Sequence, residues 1–184
     1  MRNDERGSKA KRRGVRVLKF IIHHCSLIIS LMRLRFIWVG RTRNEHARAL
    51  VEDYLGRLSR FCRTETTELR EASFADDQAI IEEEGRRIVA ALTPGSLIAL
   101  LDVEGREWSS HELASQLDGW MNAGRKEVTF IVGGHLGVAE EIKRRADIRW
   151  SLSRLTLTHE MARVVAAEQL YRAFTILRGL PYQK

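Results

Sequence analysis

Cysteine and proline are scarce in this 184-residue chain, which has two of each. With only Cys25 and Cys62, no CxxC pair and no His/Cys/Asp cluster at ligand spacing, neither a disulfide framework nor a metal site is expected, and a reducing cytoplasm is the natural compartment. No apolar run reaches the roughly 20 residues of a membrane-spanning helix. The candidate, Leu18 to Leu31, has 14 residues and is interrupted by Lys19 and a His pair. It imitates a secretory signal poorly, because no small-x-small cleavage site follows and Cys25 lacks small residues before it. Repeats and low-complexity tracts are absent. So are a GxGxxG turn and a phosphate-loop lysine, which counts against a dinucleotide or mononucleotide site.

What is present suits one globular domain with a sizeable core: 44% hydrophobic and 30% charged residues. The net charge of +7 is unevenly spread. Residues 1–31 hold eight Lys/Arg against two acids, leaving 23 against 22 from Met32 onward. Met32 opens MRLRFIWVG, the first run that reads as core, so the domain is expected over 32–184. Residues 1–31 read as an extension, either a start assigned too far upstream or a dispensable, disordered segment. Within the domain, residues 143–184 carry nine basic residues against three acids. Lys143, Arg144, Arg145, Arg149, Arg154, Arg163, Arg172, Arg178 and Lys184 form either a phosphate-binding surface or a set of solvated helix faces.

Apolar periodicity predicts alternating strands and helices. Leu34 to Val39 reads as a first strand ending at Gly40, and Asn44 as the cap of a helix through about Ser59. Thr64 to Arg70 is extended. Ser73 is expected to start a second helix, which Pro94-Gly95 ends. Leu97 to Leu101 is a continuous apolar run of the kind buried on both faces, and Asp102 to Gly105 a turn. Ser109 and Glu112 make a capping box for a helix to about Asn122, closed by Gly124. Then follow a strand at Val128 to Val132, a short helix at Val138 to Arg145, a strand at Ile148 to Leu152 and a long helix from about Glu160 to Leu177. This is an α/β pattern with a mostly parallel sheet.

In such sheets ligands bind beyond the carboxyl ends of strands. Three loops qualify: Leu101 to Gly105, Gly133 to Gly137 and Leu152 to Thr158. Spacing alone does not show that they meet. The separated motifs IVGG (Ile131 to Gly134), WSLSRLTLTHEMARVVAAEQLYRAF (Trp150 to Phe174) and Pro181-Tyr182, in that order and spacing, resemble the RlmH family of SPOUT methyltransferases. The resemblance covers about Met32 to Lys184.

That resemblance implies a SPOUT-type α/β fold, with helices on both faces of the sheet and a C-terminal trefoil knot. It implies an S-adenosylmethionine-dependent enzyme that methylates N3 of a pseudouridine in 23S rRNA, in the large subunit or the assembled ribosome. By position, Leu101, Gly133, Leu152, Ser153, Arg154, Leu155, Thr156 and Leu157 would form the cofactor pocket. Arg163 and Arg172 would hold RNA phosphate or the developing imide anion, and Tyr182 would stack on the target base. His159 would cap the last helix or shuttle a proton, and Glu168 would pair with an Arg or take part in catalysis. A homodimer is implied in which each subunit completes the other's substrate site; no metal or membrane is involved. The tail departs from the family, whose members commonly carry His where this chain has the non-titrating Gln183, followed here by Lys184. A ribosome-binding or assembly module that retains the fold without chemistry is the alternative. A mononucleotide-binding domain is a third reading, suggested only by the strand–GGxxG–helix turn.

Overall fold

In the computed structural model, residues 32–182 are described; the 1–31 extension, Gln183 and Lys184 lie outside them. Five strands are formed: β1 (Arg33–Val39), β2 (Arg63–Leu69), β3 (Leu97–Glu107), β4 (Glu127–Val132) and β5 (Ile148–Ser151). Five helices connect and follow them: α1 (Glu45–Leu58), α2 (Asp77–Ala91), α3 (Ser110–Asn122), α4 (Glu140–Arg145) and α5 (His159–Leu177). The sheet order is β2-β1-β4-β3-β5 and every pairing is parallel.

Side-chain alternation divides the core into two layers. Leu34, Phe36 and Trp38 of β1 point to the face covered by α1, α3 and α5, where Val51, Leu117 and Leu170 meet them. Ile37 and Val39 point to the opposite face, against Ile88 of α2 and Ile142 of α4. Met32, the first of the described residues, is already buried. Phe36 stacks on Phe130, and Phe130 meets Trp150 edge-on, which joins β1, β4 and β5 under one aromatic layer.

Local signals place most helix starts. Asn44 accepts from the Ala47 N–H, and Ser109 with Glu112 forms the reciprocal box. Two expectations change. Asp76, not Ser73, caps α2, by accepting from the Ala79 N–H; just upstream, the Ala72 N–H is engaged by the Glu84 carboxylate of the same helix. β3 also does not stop at Leu101. Trp150 of β5 is registered with both Leu101 and Arg106, so residues 102–105 form an excursion between two stretches of pairing. Gly105 is required there: a Cβ would lie 2.6 Å from the Arg149 carbonyl.

Candidate active site

All strands being parallel, their carboxyl ends lie on one edge, and the three loops singled out above meet there around a cleft of ≈ 380 Å³. The β3 excursion supplies Leu101, Asp102, Val103 and Glu104; the turn after β4 supplies Gly133 to Val138; the segment after β5 supplies Leu152, Ser153, Leu155, Thr156 and Leu157. His159 and Ala162, at the start of α5, close one side. The volume is within the roughly 300–1,000 Å³ typical of small-molecule sites, and backbone-rich turns between leucines suit a flat heteroaromatic group with hydrogen-bonding edges. A bound adenosyl group therefore fits these residues.

Each wall has a local cause. Gly133 admits no side chain because a Cβ would sit 2.5 Å from Val138 Cγ1 and 2.7 Å from the Gly137 carbonyl oxygen. The excluded volume is thus the closure of the turn itself. Ser153 Oγ accepts from the Leu155 N–H, and Ser151 Oγ donates to the Ser153 carbonyl, which curls the 151–155 segment. Thr158 caps α5 by accepting from the Met161 N–H. The β3 excursion is braced by Arg149, which donates to Asp102 and Glu104, each at 2.8 Å. Burial, and then the Arg163 charge, hold the His159 imidazole below the usual histidine range, so it faces the cleft uncharged near neutral pH.

Four expected site residues lie elsewhere. Arg154 is almost fully exposed and faces a neighbouring groove, 3.6 Å from Glu107. Arg163 is completely buried. Its guanidinium donates to the Thr42 hydroxyl at 2.8 Å and to the Val39 carbonyl, and lies over the Trp38 ring. The direct RNA contact expected of it is therefore corrected: sealed in the core, it fastens α5 to the end of β1. Arg172 and Tyr182 form a cluster at the far end of α5. Glu168 accepts from Arg172 Nε at 2.9 Å and from the Tyr182 hydroxyl at 3.2 Å, while Arg172 covers the Tyr182 ring. Arg172 follows His159 by thirteen positions on one helix, roughly 20 Å at ~1.5 Å per residue. Burial, with Tyr54 and Glu168 nearby, raises the Tyr182 phenol, so it remains protonated.

Among the described residues, several basic groups of the C-terminal third are held by acidic partners. Lys143 pairs with Glu140, Arg145 with Glu141, Arg149 with Asp102 and Arg172 with Glu168. Among the described residues, no cluster of three or more His, Cys, Asp or Glu could hold a metal, and no helix is long and apolar enough to cross a membrane. Two features escaped sequence reading: the Asp102–Arg149 brace and the buried Glu84 beneath the glycine turn. For Glu84 the one signal was its neighbour Gly85, a glycine in a helix interior where close packing is the usual reason.

A wholly parallel sheet with a glycine-turned cleft at its carboxyl edge defines a ligand-binding α/β protein of the enzyme type. The chain belongs to the SPOUT methyltransferase family: the family described as "Predicted SPOUT methyltransferase" matches residues 32–183. Among curated proteins it is similar to the ribosomal RNA large subunit methyltransferase H of Gloeobacter violaceus, 44% identical over 151 residues, 82% of this chain and 98% of that one. The proteins of that name from Acetivibrio thermocellus (37% over 159 residues) and Desulfitobacterium hafniense (36% over 160) are covered completely, against 83% and 84% of this chain.

Proposed function

We propose that this protein transfers a methyl group from S-adenosylmethionine to N3 of a pseudouridine in 23S rRNA of the large ribosomal subunit. The observation that carries the reading is the convergence of the β3, β4 and β5 loops on one cleft, in a chain that spans nearly the whole length of relatives named as large-subunit rRNA methyltransferases. When bound, S-adenosylmethionine would supply an electrophilic methyl group for transfer to N3 of the base, whose proton would be lost to solvent. The protein's own contribution is orientation. Leu101, Leu152, Leu155 and Leu157 would wall the adenosyl group, and the main chain of Gly133 and of residues 152–157 would read its edges. The trefoil knot belongs to the same reading, which for this feature rests on membership of the SPOUT family. Residues 32–184 suffice for activity in this reading, which rests on the family match over residues 32–183 and on the burial of Met32.

Arg172 and Tyr182 serve the cleft of a second copy. Within one subunit the length of α5 keeps them from the methyl group, whereas a two-fold pair can bring each far end to the partner's cleft. Leu155 at the cleft and Met161 on the first turn of α5 are both exposed, apolar surface for such a pair to cover. There Arg172, oriented by Glu168, holds the developing imide anion, and the protonated Tyr182 stacks on the base. Action on ribosomal RNA carries with it a cytoplasmic location. Mass spectrometry of 23S rRNA nucleosides from a deletion strain, with and without this protein restored, tests the reading. A methylated pseudouridine that disappears and returns is expected; an unchanged nucleoside profile would overturn it.

A further inference from the structure

α2 meets the glycine turn through two adjacent residues, Glu84 and Gly85. Glu84 is only 2% exposed. Its Oε1 accepts from the Ala72 N–H at 3.1 Å, while Oε2 is buried with no partner among the described residues. That oxygen lies only 2.7 Å from where a Cβ on Gly134 would be, and a Cβ on Gly85 would lie 2.8 Å from Ala139 Cβ. Residues 133–139 therefore rest on one turn of α2. The same carboxyl group grips the loop after β2.

We propose that Glu84 is a positioning residue for methyl-donor binding, wedging the Gly133-Gly134-His135 turn in its binding shape as an uncharged carboxyl group. This rests on the assignment of the cleft to the methyl donor. A carboxylate with one buried oxygen unpaired is costly, and removing its charge relieves that cost. The groups that face it are His135 from the turn, Glu71 from the loop after β2 and Arg87 on its own helix; burial outweighs the favourable charges and raises the Glu84 carboxyl above its ordinary range. Ionisation at higher pH then loosens the turn and weakens methyl-donor binding.

Two measurements on the full-length protein test this. In calorimetric titrations with S-adenosylmethionine, affinity should fall as pH rises above the ordinary carboxylate range. Glu84→Gln, which is isosteric and cannot ionise, should keep the low-pH affinity and lose the pH dependence. Glu84→Ala, which orphans the Ala72 N–H and empties the wedge, should bind about tenfold more weakly throughout. In the ligand-free protein, the amide resonances of Ala72, Gly133, Gly134 and His135 should titrate with one midpoint in the natural chain and not in Glu84→Gln. A titration that persists in Glu84→Gln and vanishes in His135→Asn would assign the effect to the imidazole and overturn the proposal, as would equal affinity in Glu84→Ala. Should the full chain bind no S-adenosylmethionine at any pH, the cleft assignment fails, and the amide titration still decides whether Glu84 shapes the turn. If Glu84→Ala does not fold, the Glu84→Gln comparison and the amide titration carry the test.

Discussion

The buried guanidinium of Arg163 donates to the Thr42 hydroxyl at 2.8 Å, across 121 residues of sequence, and so ties the first helical turns of α5 to the loop leaving β1. This is a structural clamp beside the cleft, not a surface for RNA.

Arg163→Ala should therefore unfold more easily. It strands the Val39 carbonyl and the Thr42 hydroxyl and leaves a void against Trp38, a loss of about 3 kcal/mol by urea unfolding. Arg163→Lys should recover little, because an ammonium cannot reproduce the fork of donors. An unchanged unfolding midpoint with weakened RNA binding would restore the direct contact.

Gly133→Val should abolish S-adenosylmethionine binding while far-UV circular dichroism stays native. The branched side chain collides with Val138 and the Gly137 carbonyl, so the turn after β4 must open, although β4 itself keeps its partners. Calorimetry decides the matter, and undiminished affinity would remove this turn from the pocket.

If the far end of α5 serves the partner's cleft, defects at the two places should complement. Gly133→Val and Arg172→Ala subunits are each expected to be inactive alone. Unfolded together and refolded as a mixture, they should recover roughly a quarter of natural activity, since half the pairs are mixed and each mixed pair has one intact site. Arg172→Ala alone should bind S-adenosylmethionine normally. No recovery on mixing would return the chemistry to a single subunit.

Stability should respond to His159 in acid. Its folded-state pKa is depressed, first by burial and then by Arg163, so the unfolded chain takes up the proton more readily. The stabilisation it contributes is complete above about pH 6.5 and is lost as pH falls through the lower folded value. His159→Asn should flatten that part of the pH profile of the urea midpoint; an identical slope in the variant would locate the titration elsewhere.

Much of this architecture was readable residue by residue. Asn44, Ser109 and Glu112 announce helix starts because a cap is made within three residues of itself, and the alternation in Leu34 to Val39 names a strand because neighbouring side chains must leave on opposite faces. The glycine turn and the 152–157 run were likewise visible as motifs, and the resemblance joined them before any geometry did. What local chemistry does not contain is the partner. Ser73 and Asp76 are equally able caps, and in the fold it is Asp76 that accepts from the Ala79 N–H, while Glu84 of the same helix holds Ala72 upstream. Leu97 to Leu101 looked finished at Asp102, yet β5, more than forty residues on, draws the strand out to Glu107. Arg163 and Arg172 sit on the same helix with the same side chain, and only the packing of α5 against the sheet sends one into the core beside Val39 and leaves the other half-exposed with Glu168 and Tyr182. Burial of a charge depends on what the remote chain brings to meet it, and that is decided by tertiary structure alone.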